Sequence, residues 1–400
     1  MRELIPTFGQ SMYSAYLGQS TGGPKSLVTR VKGVPNRVLA KISATGSSAP
    51  EPQDAPDLQT SMQLDLTDAF SELQIGPSDR LLFHTADGAT YKALAELLEE
   101  REIIDLPLIH VCTPYDPEGV MPNRENPEQV KSAIDLLRAS SLLNRRVFLH
   151  GENPFLAKHL SQIWDSPVLS LDLPAYPIDE AMKYGARKFR ESRLLAEKEQ
   201  FLVVSLGAAR LEKGFHLIPD IVRRTFEFAG TEEFSDVPRS KIKFVLHASA
   251  QIVGRHPLIA KSIEKLEAYS KDQVQLLKEP LSDLDYRSLT LASDSILMPY
   301  DEAAYRVRGS GVVAEAIVAR KFIVAKTGSY PAEMALWQGG ACGETPALMA
   351  KALLTIVKDR WQRFERVKQT SFEYIADNSV DQYMRKVIAA ERSSARVIGD

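Results

Sequence analysis

Two short stretches carry residue types suited to chemistry. In YRVRGSGVVAEA, Tyr305 to Ala316, two arginines and a Gly-Ser-Gly precede one carboxylate, Glu315, in an otherwise apolar run. The amides of Ser310, Gly311 and Val312 would open a helix, where unpaired first-turn N–H groups favour an anion. Glu315 lies one turn further in. A carboxylate there can accept two neighbouring hydroxyl hydrogens, as a ribose diol offers. In VVSLGAARLEKGFHLI, Gly207, Arg210, Lys213 and Gly214 follow a β-branched run. Two cations beside flexible backbone suit a diphosphate. A Walker loop is excluded, because G-x-x-x-x-G-K-[ST] is absent. Each stretch also has a plainer reading: a solvated basic loop, and a carboxylate paired with a structural arginine.

The elements around these stretches must position them. A chain of 400 residues exceeds one ordinary core, so two domains are expected. Short β-rich runs alternate with amphipathic helical patterns, which implies parallel sheets covered by helices. Strands are expected at 37–43, 80–85, 106–113 and 145–151. The Ser/Pro-rich segment at about 43–61 reads as a surface loop. Pro174 and Pro177 mark a boundary, followed by the basic helix KYGARKFRESR. The alternation then restarts at FLVVSLG and runs to FIVAKTG. The expected class is α/β, with two Rossmann-like domains facing across a cleft. The first covers 1–180 and the second 181–374, and a final helix at about 375–400 is expected to pack back on the first.

Composition narrows the function. A net charge of −3 gives no general attraction to nucleic acid. Cys112 and Cys342 are far apart and lack metal-ligand spacing, which fits a reducing cytoplasm. The N-terminus does not read as a signal peptide. No apolar run reaches the roughly twenty residues needed to span a bilayer. The basic helix leaves contact with an anionic membrane face open, although such runs are more often solvated. Asp283-Leu284-Asp285 matches D-x-D, but Ser282 before it reads better as a helix cap, and no metal is expected.

Together the two stretches resemble the C-terminal domain of retaining glycosyltransferases of the GT-B fold, the large family four class. The match is to its subgroup with PY…Y..R.SG…EA: Pro299, Tyr300, Tyr305, Arg308, Ser310, Gly311, Glu315 and Ala316. It covers about Phe201 to Tyr330. The resemblance implies that Arg210 and Lys213 hold the donor diphosphate and stabilise the leaving group. It implies donor contacts at Gly207, Gly214, Arg308, Gly309, Ser310, Gly311 and Val312, with Glu315 on the ribose. It also implies a catalytic histidine at a strand end of the first domain, here His110, with His84 and His150 as further candidates. Each of these is equally a satisfied structural histidine on its own residues. Gly22 and Gly23 would form the first domain's glycine loop, ahead of a helix. Two positions depart from the family. Its first glutamate falls at Val307, and its loop arginine falls at Ala208, whereas Arg210 sits three before Lys213.

The implied activity is hexosyl transfer from a UDP- or GDP-linked sugar, with retention, without cofactor or metal. The acceptor would be a glycan, a lipid-linked molecule or a small molecule, as in polysaccharide synthesis. A nucleotide-sugar 2-epimerase of the same fold and a catalytically degenerate nucleotide- or partner-binding relative remain as alternatives.

Overall fold

The structure is a computed structural model describing residues 28–30, 66–68, 70–71, 73–99, 101–118, 127–175, 178–194, 200–249 and 256–397. Gly22, Gly23, the loop at 43–61 and the strand expected at 37–43 lie outside the described residues. Contacts divide the chain into two units, Met1–Asp172 with Val380–Asp400, and Leu173–Ser379.

In the first unit the β-rich runs form parallel strands β2 (Arg80–Phe83), β3 (Leu108–Thr113), β4 (Val147–Gly151) and β5 (Val168–Ser170). Helices α1 (Gly88–Glu99), α2 (Pro127–Ala139) and α3 (Pro154–Ile163) connect them. Strand β1 (Val28–Arg30) pairs antiparallel with β2 at the sheet edge. This corrects the helix expected after Gly22 and Gly23. β-branched Val28 and Thr29 suit the open edge of β2 better than a helix.

The strand order is β1-β2-β3-β4-β5, so each crossover steps the same way. Right-handed crossovers then place all three helices on one face. The side chains alternating to one face, Leu81, Phe83, Ile109 and Val111, are completely buried. The alternate set is more polar: Arg80, Leu82, His110, Cys112, Phe148 and His150. Leu82 is in register with His110, and His110 with Phe148.

Helix α12 (Val380–Val397) covers this polar face. Its Tyr383 and Val387 pack on Leu82 and Leu171, and the Tyr383 hydroxyl lies 3.1 Å from His84 Nδ1. Arg80 donates two hydrogen bonds to the Glu391 carboxylate, at 2.6 and 2.8 Å. His110 Nε2 lies 3.2 Å from Glu391, and its Nδ1 lies 3.0 Å from His150 Nε2. Burial alone would raise the Glu391 pKa, but the bonds from His110 and Arg80 hold it below the usual carboxylate value. Glu391→Ala would leave His110 without its carboxylate in a dry layer. We expect it to destabilise the first unit by about 2 kcal/mol, read by urea denaturation. An unchanged midpoint would show that α12 docks through its apolar contacts alone.

The second unit has six parallel strands in the order β11-β10-β9-β6-β7-β8. They are β6 (Phe201–Ser205), β7 (Ile242–His247), β8 (Val274–Leu277), β9 (Ser295–Met298), β10 (Phe322–Lys326) and β11 (Ala341–Gly343). Phe201 and Val203 point to one face, and Leu202 and Val204 to the other. All four are at most 1% exposed, so β6 is central and apolar on both sides.

Under the first face lie α5 (Ile218–Phe228), α6 (Pro257–Glu267) and α11 (Pro346–Asp377). Under the second lie α4 (Glu180–Ser192), α7 (Asp283–Ala292), α9 (Gly311–Val318) and α10 (Tyr330–Gln338). The chain leaves β6 in one direction to β7 and β8, then returns to β9 on its other side. That reversal places a topological switch point between β6 and β9, where open α/β sheets bind ligands at the strands' carboxyl ends. No helix of the described residues is long and apolar enough to cross a membrane.

Candidate functional site

Both chemistry-bearing stretches begin at this switch point. The loop after β6 carries Gly207 to Gly214, and the loop after β9 carries Pro299 to Ser310. Gly214 has φ +66°, and a Cβ there would sit 1.7 Å from the Pro299 carbonyl oxygen. Only glycine lets the two backbones meet so closely. A second tie is the Asp301 N–H, which donates to the Glu212 carbonyl at 2.9 Å. Asp301 also caps α8 (Glu302–Tyr305), accepting from Ala304 N–H at 3.0 Å.

Lys213 folds back over Gly207. A Cβ at Gly207 would lie 2.5 Å from Lys213 Nζ, and its φ of +89° again favours glycine. Burial, and then the charges of Arg210 and Arg308, lower the Lys213 pKa to about 8, against the pull of Glu212 and Glu315. Arg210 is exposed and pairs loosely with Glu212 at 3.5 Å. Three cations thus converge on one edge of the sheet.

Helix α9 begins at Gly311, and the Ser310 side chain makes no capping hydrogen bond to its first turn. Glu315 follows one turn on. Desolvation raises its pKa to about 7, although the Tyr286 hydroxyl, Lys213 and Arg287 all favour the charged form. The Tyr286 hydroxyl donates to Glu315 Oε2 at 2.9 Å. Glu315 therefore does not stand alone, as its sequence neighbourhood suggests. Its partner comes from α7, twenty-nine residues earlier. This leaves Oε1 as the oxygen without that bond.

The sequence reading overlooked two residues here. Tyr286 directly follows Asp283-Leu284-Asp285, and nothing in its own segment marks it. His247 ends β7 and is 9% exposed, with neither ring nitrogen in a hydrogen bond of full geometry. Burial lowers its pKa; the Glu279 backbone opposes that shift, and the Lys213 charge adds to it. A polar residue closing an apolar strand beside β6 was the available signal.

Other candidates fall elsewhere. His110 is a correction: it is third in a six-residue strand, completely buried and held by His150 and Glu391, rather than placed at a strand end facing a ligand. His150 is equally buried at 1% exposure. His84 follows β2 and leans on Tyr383. Asp285 pairs with Arg193 at 2.7 Å, and Ser282 caps α7 as its position suggests. Helix α4 buries Ala186 and Phe189 and exposes Lys183, Arg187 and Lys188. A separate hollow of about 360 Å³ between α5 and α6 shares no residue with this site. Its Arg223 is already bonded to Asp220 and Glu227.

No family model and no curated protein matches the chain in sequence. Solved structures do match its fold. A UDP-forming α,α-trehalose-phosphate synthase from Burkholderia xenovorans matches with TM-score 0.59 at 14% identity, over 84% of this chain and 78% of that one. A glycosyltransferase from Rickettsia africae matches with TM-score 0.59 at 10% identity, over 91% and 89%. A sucrose-phosphate synthase from Thermosynechococcus elongatus matches with TM-score 0.57 at 12% identity, over 98% and 94%. These proteins are GT-B glycosyltransferases, and the chain shares their fold of two Rossmann-like α/β units.

Proposed function

We propose that the second unit binds a nucleotide-sugar donor and that the protein transfers its hexosyl group to an acceptor with retention of configuration. The observation that carries this reading is the junction of the two loops. Gly214 against Pro299 brings Lys213 and Glu315 within electrostatic reach of each other at a sheet switch point. Lys213, Arg210 and Arg308 would face the diphosphate, with the uncapped start of α9 beside them. Glu315 Oε1 would accept from the ribose diol. Departure of the nucleoside diphosphate builds negative charge, and preorganised cations and amides stabilise that charge most in the transition state. Three of the matched structures are of UDP-forming synthases, so UDP is the first nucleotide to test. His110 is left out of the catalytic set because it is buried within its own unit.

Calorimetry with UDP, GDP, ADP and the matching nucleosides tests the donor site. Lys213→Ala should weaken UDP binding about 10- to 100-fold, as loss of one charge-assisted contact of ~1.5–3 kcal/mol implies. Uridine binding should barely change. In the wild type, UDP affinity should peak between about pH 7 and pH 8. Below that window Glu315 gains a proton, and above it Lys213 loses one. Equal losses for uridine and UDP would remove Lys213 from the diphosphate. Val307 and Ala208, where the family places a glutamate and an arginine, favour the rival reading of a binding relative without turnover. Release of free sugar or UDP from a bound UDP-hexose would exclude it.

A further inference from the structure

The cations of the two loops are held against a pair of buried tyrosines. Lys213 Nζ lies 5.7 Å from the centroid of the Tyr300 ring. The Tyr300 and Tyr305 rings are 4.5 Å apart, inclined at 46°. Arg308 Cζ lies 5.0 Å over the Tyr305 ring. The order in space is cation, ring, ring, cation. Tyr300 and Tyr305 are only 2% and 3% exposed, so neither ring is free to swing away.

This arrangement solves a specific problem. Lysine and arginine are long, and fixing them costs rotamer freedom. An aromatic face attracts a cation through its quadrupole and leaves the net charge intact. The Tyr300 hydroxyl is buried without a hydrogen bond of full geometry, although Ser310 lies close by. That points to the ring rather than the hydroxyl as the working part.

We propose that Tyr300 and Tyr305 are positioning residues whose adjoining, mutually tilted rings hold Lys213 and Arg308 at a set spacing, still charged, for the two phosphates of the donor. The inference rests on the nucleotide-sugar reading of the same site.

The test compares Tyr305→Leu with Tyr305→Phe, after circular dichroism confirms folding. Calorimetry uses UDP, inorganic pyrophosphate and uridine. The leucine variant should bind UDP and pyrophosphate about tenfold more weakly, in line with one or two desolvated cation–π contacts. Uridine should be unaffected, and the phenylalanine variant should stay within about twofold of wild type. UDP affinity unchanged in the leucine variant would overturn the proposal. So would equal losses in both variants, which would implicate the hydroxyl, or an equal loss for uridine, which would mean general collapse. A second readout needs no ligand. The Lys213 ε-methylene should show a ring-current shift by NMR that Tyr300→Leu removes and Tyr300→Phe keeps. If the wild type binds no diphosphate yet shows that shift, the donor reading fails and the cation–ring arrangement stands. If the shift is absent, the cation–ring arrangement itself is wrong.

Discussion

Gly214→Ala should abolish nucleotide binding. At φ +66° an L side chain costs about 1–2 kcal/mol in any setting. The larger effect is local. A Cβ at 1.7 Å from the Pro299 oxygen cannot be accommodated by a side-chain rotation, because the obstacle is backbone. The two loops must separate, which breaks the Asp301 to Glu212 bond and moves Lys213 away from Glu315. We expect a loss of more than about 100-fold in UDP affinity, or ~2.7 kcal/mol. Gly230 is the control. It has φ +81°, but a Cβ there would meet nothing within 4 Å, so Gly230→Ala carries only the backbone cost. Calorimetry on both variants, with thermal denaturation alongside, separates the effects. A Gly214→Ala protein that binds UDP within a few-fold of wild type would show that the loop junction does not build the site.

Acid should unfold the first unit well before pH 4. Burial keeps the His84 ring neutral until about pH 4, and burial plus the neighbouring His110 keeps His150 neutral until about pH 3. In the unfolded chain both rings take a proton near pH 6.5. Between about pH 6.5 and pH 4 the unfolded chain therefore holds more protons, and stability falls as pH falls. Each ring contributes up to ~1.4 kcal/mol per pH unit, so the pair approaches ~3 kcal/mol per unit. Glu391, held below its usual pKa, adds a loss in the same direction at lower pH. Glu315 acts oppositely in the second unit. Its folded pKa near 7 exceeds the unfolded value of 4.5, so its neutral form stabilises that unit as pH falls through this range. His247 and His216, whose pKa values are lowered by desolvation, work against Glu315 there, so hydrogen exchange at pH 7 and pH 5 should show first-unit amides losing more protection than second-unit amides. Equal protection at both pH values in β2, β3 and β4 would mean that the histidines are not neutral in the folded protein.

Much of this fold is written locally. The runs RLLF, LIHVCT, VFLHG and FLVVS are rich in β-branched and apolar residues, and each became a parallel strand. Gly311 marked the start of α9, and Ser282 marked the cap of α7. Short-range physics settles such features: side-chain periodicity, a cap's reach, a turn's need for positive φ. The residue types at the candidate site were visible for the same reason, because Lys213 and Glu315 stand out against apolar surroundings within their own segments. The 32-residue α11 is also explained by its own segment. It runs unbroken because no glycine or proline interrupts it after Pro346.

The partners of those residues were decided by tertiary structure. Tyr286 reaches Glu315 from another helix, and no spacing in the chain announces that bond. The meeting of Gly214 with Pro299 depends on β9 returning beside β6, a matter of strand order rather than of either loop's composition. His110 shows the limit most clearly. Alternation along β3 reveals that it shares a face with Cys112. It cannot reveal that this face is closed by α12, which arrives after the whole second unit and supplies Glu391 from 281 residues away. Whether a strand histidine binds a ligand or fills a polar core layer is determined by what covers its face, and that is a long-range contact.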